Sequence, residues 1–235
     1  MAKEIPHEVA YYYDSHPTEE DLMGEAIEHH DLVSYLEQVL KWLFHGQVCG
    51  IYANLNFYQT TDYWESPLAP DIVVIKGVSV RSGRSWRVGQ TGPAPQVVFE
   101  IASEKTWWKD LKEKPLAYGL MGVKEYIAYD PNEPMLPESG SRRLWGWQRG
   151  KGRGPLQTMV QGPAGRLWSP YLESNLVPDG QYLRLYDSQW QRRLTEAEAK
   201  DKQAREEAEA RRAEARRAEM LAEKLRSLGI DPDQL

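Results

Sequence analysis

The sequence predicts an α/β fold, a mixed central sheet flanked by helices, followed by one long charged helix. Three observations predict it: an amphipathic segment near the start, a series of short apolar runs punctuated by Pro and Gly, and an abrupt change of composition after Thr195. Of 235 residues 41% are hydrophobic and nine are Trp, ample for a packed core, yet the last forty or so are so polar that only about 190 can build it. The expected organisation is one domain over 1–190, a charged helix over 195–228 and a short tail over 229–235.

Taken in order, apolar residues from Glu28 to Phe44 recur at Leu32, Leu36, Val39 or Leu40, and Leu43, a period of 3.6 that predicts a helix with Gly46 just past its end. Ile51 to Tyr58 alternates aromatic or branched residues with small polar ones and reads as one strand. Asp71 to Ile75 and Gln96 to Ile101 are short apolar runs behind Pro70 and Pro95, the pattern of buried central strands, with a loop from Arg81 to Gly92 between them. A second helix follows Ser103, carries Leu111, Leu116, Tyr118 and Leu120, and stops at Gly122. Glu125 to Tyr129, Leu144 to Trp147 and Tyr182 to Tyr186 read as further strands. From Thr195, an N-cap with Glu198 as its capping-box partner, a Glu/Ala/Arg/Lys helix runs to Gly229. Its stripe is mostly Ala, so any coiled coil is weak beside Leu/Ile heptads.

Composition excludes several classes. Cys49 is the only cysteine, so no intramolecular disulfide and no Cys-rich zinc cage can form, and a reducing compartment fits. The first thirty residues lack the basic and apolar regions of a signal peptide, and no apolar run approaches membrane-spanning length; a cytoplasmic protein with no membrane partner is expected. Net charge of -6 argues against nucleic-acid binding by bulk charge alone. The charge is unevenly spread, however. Residues 1–70 hold only Lys3 and Lys41 against twelve carboxylates, whereas 76–153 hold fourteen Lys and Arg against eight acids. A basic middle suits a polyanion-binding face.

The residues that suggest chemistry are Asp71, which precedes four apolar residues, and Glu100, which nearly closes a second apolar run. Buried carboxylates need a partner, because desolvating their charge costs several kcal/mol, and a hard divalent cation is a common solution. Both acids and the backbone carbonyl of Ile101 would hold Mg²⁺, with Mn²⁺ as substitute, leaving waters to complete an octahedral shell. The plainer reading of each acid is a solvated strand end. His29 and His30 lack metal-ligand spacing and read as surface residues. Trp107 and Trp108 beside Lys105 and Lys109 read first as core and second as base-stacking residues.

The stretches PDIVVIKGV, PQVVFEIASEKT and DLKEKPLAYGLMGVKEYIAYDP, in that order, resemble the PD-(D/E)XK superfamily and, within it, the Uma-type restriction-endonuclease group. The resemblance covers most of residues 20–230 and implies a restriction-endonuclease-like fold, magnesium-dependent hydrolysis of DNA phosphodiesters, and Asp71 and Glu100 as metal ligands. The motif lysine is absent, since Ala102 stands two residues after Glu100. In Uma-type proteins the lysine looks relocated to the next helix, and Asp110, Lys114 and Tyr118 keep that spacing, one face of a helix. Lys114 is then the residue that aids the transition state. Pro115 disfavours helical geometry at Lys114, which leaves Lys112 as the fallback. The family glutamate near the start of the first helix falls on Glu25, with Glu28 second; Ser103 and Thr106 shape the turn. The tail would make a homodimer, suited to cutting two strands. The alternatives are a nucleic-acid-binding or scaffold protein that kept the fold and lost catalysis, as Ala102 and Pro115 suggest, and a coiled-coil adaptor.

Overall fold

The computed structural model describes residues 27–59, 67–80, 83, 85–103, 106–136, 142–150, 154–229 and 231. It divides into two compact units, Met1–Arg193 and Leu194–Leu235.

The first unit opens with α1, Ile27–Leu43, whose apolar stripe Leu32, Leu36, Val39 and Leu40 is wholly buried, as the 3.6 period requires. The expected first strand is two: β1, Cys49–Ala53, and β2, Asn56–Tyr58. Asn54 separates them with φ of 52°, a left-handed conformation that Asn tolerates and that no continuous strand contains. Then come β3, Ile72–Lys76, β4, Ser85–Arg87, inside the segment expected to be loop, and β5, Val97–Ile101. The expected second helix is broken into α2, Trp107–Lys112, and α3, Lys114–Met121, with Glu113 at the joint. Pro115 lies in the first turn of α3, where its missing N–H removes no hydrogen bond and its fixed φ suits the helix. Gly122 closes α3 with φ of 98°. The strands β6, Glu125–Tyr129, β7, Leu144–Arg149, and β8, Leu156–Thr158, follow, then β9, Leu167–Ser169, β10, Ser174–Asp179, and β11, Tyr182–Tyr186.

The central sheet has the order β1-β3-β5-β6-β7-β8, with β5 and β6 parallel and every other pair antiparallel. Both faces are covered. One carries α1 and the strand triplet β11-β10-β9 over Ile72, Val74, Val97 and Phe99. The other carries α3 and the β2-β4 pair over Val73, Ile75, Val98 and Tyr126. This explains why β3, β5 and β6 read as unbroken apolar runs, each buried side chain contributing roughly 1.5–3 kcal/mol.

The second unit is α4, Glu196–Ser227, capped as its sequence predicts: Thr195 Oγ1 accepts from the Glu198 amide at 3.2 Å and the Thr195 amide donates to Glu198 Oε2 at 2.9 Å. No residue of α4 is buried. Among the described residues no helix is long and apolar enough to cross a membrane.

Candidate active site

Alternation along β3 and β5 determines where the acids lie. In the β3–β5 ladder Ile72 opposes Phe99 and Val73 opposes Val98, so one further step places Asp71 opposite Glu100. Val73 and Val98 face the α3 layer, and by the two-residue period Asp71 and Glu100 share that face. Two carboxylates 29 residues apart in sequence thereby become cross-strand neighbours.

Glu100 is almost fully buried, and its Oε1 accepts from the Tyr118 hydroxyl at 2.6 Å and lies 3.0 Å from Lys114 Nζ. Lys114 Nζ is also 2.7 Å from Asp110 Oδ1. Asp110 is buried in the first turn of α2, and its Oδ2 accepts from the Thr106 hydroxyl at 2.9 Å, while Ser103 and Thr106 hydroxyls lie 2.9 Å apart in the turn before the helix. The helix break at Glu113 therefore does not displace Lys114; the i, i+4 pair with Asp110 spans it. Asp71 Oδ2 accepts from the Ile101 amide at 2.6 Å, and its Oδ1 lies 3.3 Å from His29 Nε2. Ile101 thus enters the site through its N–H. Ala102 is buried and donates its amide to the Tyr129 carbonyl at 2.7 Å.

The reading of His29 as a surface residue is corrected. It sits three and seven residues before Leu32 and Leu36, on the buried stripe of α1, which carries it to Asp71. His30 is exposed. Lys112, the fallback lysine, is also exposed, and neither ion pair of the acid cluster is its own. Glu25 and the side chain of Glu28 lie outside the described residues, as does Lys105. Trp108 is half exposed rather than core.

The electrostatics are unbalanced. Asp71, Glu100 and Asp110 bring three carboxylates together and Lys114 is the one fixed cation bonded to them among the described residues, a formal deficit of two positive charges when His29 is neutral. Burial raises the Glu100 carboxyl to about 8, Lys114 opposing and Asp71 and Asp110 reinforcing the shift. Burial raises Asp110 too, against Lys114 and Thr106. Burial alone pulls Lys114 down, but Glu100 and Asp110 outweigh it and hold the ammonium above its ordinary range. A divalent cation would offset this charge deficit, and the donors present are carboxylate oxygens, the set that Mg²⁺ prefers. Among the described residues no three of His, Cys, Asp and Glu converge closely enough to form a metal cage by themselves.

The fold and this acid cluster define a mixed-sheet α/β domain with a carboxylate–lysine site at the ends of two central strands. The family model Uma2, described as "Putative restriction endonuclease", matches residues 8–170, and the chain belongs to that family. A solved structure to which the chain is similar is that of "a putative nuclease belonging to DUF820" from Anabaena variabilis, 14% identical, covering 64% of this chain and 75% of the other with a TM-score of 0.42. No curated protein matches.

Proposed function

We propose that the chain is a divalent-metal-dependent endonuclease that hydrolyses phosphodiester bonds of DNA. The observation that carries the reading is the site's charge: the buried carboxylates of Glu100 and Asp110 and the partly buried Asp71, which opposes Glu100 across the central sheet, gather around one lysine. Asp71, Glu100 and the Ile101 carbonyl would hold Mg²⁺, or Mn²⁺ in its place. When bound, the ion lowers the pKa of a water and neutralises charge on the scissile phosphate.

The chain's own residues do the rest. Ile101 N–H and His29 fix the two oxygens of Asp71. Tyr118 fixes Glu100, and Thr106 fixes Asp110, which in turn holds the Lys114 ammonium beside Glu100. Lys114 would donate to a phosphate oxygen as negative charge grows in the transition state. Ala102 argues for a fold that lost catalysis, but a lysine 3.0 Å from Glu100 supports the active reading. The exposed, Ala-rich α4 would pair two copies of the chain.

The test is nicking of supercoiled plasmid in Mg²⁺, Mn²⁺ or EDTA. Expected is metal-dependent cleavage that falls at least a hundredfold in Asp71→Ala, Glu100→Ala and Lys114→Ala. Absence of cleavage in either metal, or cleavage unchanged by Asp71→Ala, refutes the reading.

A further inference from the structure

Lys112 leads away from the acid site. The exposed end of α2, the outer flank of α3 and strands β7 and β8 enclose a groove of about 810 Å³ within the first unit, in the range of clefts that take small ligands, roughly 300–1,000 Å³. Three cations line it, Lys112, Lys124 and Arg149, and among its described lining residues there is no Asp or Glu. In a chain of net charge -6 that is a local reversal of sign.

The cations differ in role. Arg149 spends its guanidinium on backbone carbonyls: Nε donates to Val123 at 3.0 Å, one terminal nitrogen to Gly154 at 2.8 Å and the other to Gly119. Its charge is held in place, and no carboxylate among the described residues forms an ion pair with it. Lys112 and Lys124 make no ion pair with a described carboxylate, so both ammonium groups remain available to a ligand. Between these charges the lining is apolar and flat. One face of Trp147 stacks on Tyr126, with centroids 5.2 Å apart, and Trp147 lines the groove, while Leu116 and Leu120 on the outer flank of α3 are 61% and 66% exposed. Two large exposed apolar residues at i, i+4 on a short helix, facing an acid-free basic wall, fit a ligand that is both planar-apolar and anionic.

We propose that this groove binds an unpaired segment of nucleic acid, a base lying against Trp147 and the leucines and the adjoining phosphates against Lys112 and Lys124. The choice of nucleic acid over other anions rests on the nuclease reading above and on position. Lys112 and Lys114 flank the same helix joint, their Cα atoms no more than about 7 Å apart, so the groove and the acid site share one structural joint, on its outer and inner sides.

The experiment is fluorescence anisotropy of a labelled dT12 strand with the full chain in EDTA, where no hydrolysis competes, over a series of salt concentrations. The chain is expected to bind dT12, and Lys112→Gln/Lys124→Gln to bind at least tenfold more weakly with a salt slope shallower by about 1.4, twice the single-strand value per phosphate. Circular dichroism melting of the double variant should match that of the parent. Failure of the parent to bind, an unchanged affinity and slope in the double variant, or equal competition by a 12-base-pair duplex or by polyglutamate overturns the proposal, the last assigning the groove to acidic polypeptide. The two readings fail separately. Plasmid cleavage with groove binding lost refutes the groove alone; groove binding without cleavage in Mg²⁺ or Mn²⁺ refutes the nuclease alone.

Discussion

Lys114→Met removes the one fixed cation from the acid cluster while keeping the length of the side chain. Lys114 bridges Glu100 and Asp110 at 3.0 and 2.7 Å, and both carboxylates are all but inaccessible. Breaking a buried ion pair by deleting one partner costs roughly 3–5 kcal/mol, because the remaining charge stays desolvated. The lysine side chain is 21% exposed, so water can partly replace it, and the low end, about 3 kcal/mol, is expected at pH 8.5 in EDTA. The acids can also escape by taking up protons. Glu100 is already raised from 4.5 to about 8 by burial, and losing Lys114 raises it and Asp110 further. A carboxyl with a raised folded-state pKa favours the folded state below its unfolded pKa and loses that contribution as pH rises through the folded value. The variant's deficit should therefore be largest above pH 8 and shrink toward pH 5. Urea unfolding followed by circular dichroism at pH 5, 7 and 8.5 measures it. A deficit below 1 kcal/mol at pH 8.5, or one equal at all three pH values, would mean that the lysine does not neutralise buried carboxylates and would refute the charge argument.

Other expectations follow from the same geometry. Glu125 is fully buried, bonded to the Ser169 hydroxyl, and burial raises it from 4.5 to about 7 despite that bond; the parent should lose roughly 3 kcal/mol between pH 4.5 and 7 from this group, and Glu125→Gln should flatten that part of the stability–pH curve measured by urea midpoints. His29→Ala, which frees Asp71 Oδ1, should weaken Mn²⁺ binding in calorimetry about tenfold or more, and His29→Gln, which keeps a donor, should recover part of it. Deleting residues 194–235 removes a helix with no buried residue, so the melting of the first unit should shift by no more than a few degrees; a fall in solution mass from dimer to monomer by light scattering supports the pairing role of α4, and an unchanged mass excludes it.

Much of the site was legible because its chemistry is written in strand edges. Asp71 and Glu100 stand out as acids bounding apolar runs, and the antiparallel register of β3 on β5 then makes them neighbours. The spacing of Asp110, Lys114 and Tyr118 survives the helix joint because Pro115 falls in a first turn, where it is favourable, rather than in a helix interior. For His29 the signal lies in its distance from Leu32 and Leu36 on one helix face, not in the spacing of the adjacent histidine pair. Strands β4, β8 and β9 escaped notice at three residues each, too short to show a period. In β10, Asn175, Pro178 and Asp179 carry turn chemistry, yet pairing with β11 along Asn175–Asp179, and with β9 at Ser174–Leu176, keeps the segment extended. The groove could not be read at all, since Lys112, Lys124 and Arg149 meet only through tertiary packing.

The most direct test of the central claim is a crystal of the full chain soaked in Mn²⁺ and measured at the manganese absorption edge. The account predicts one anomalous peak within about 2.2 Å of a carboxylate oxygen of Asp71 and one of Glu100, absent from Glu100→Ala crystals treated alike. An empty site at saturating Mn²⁺, or a peak that survives loss of Glu100, would contradict it.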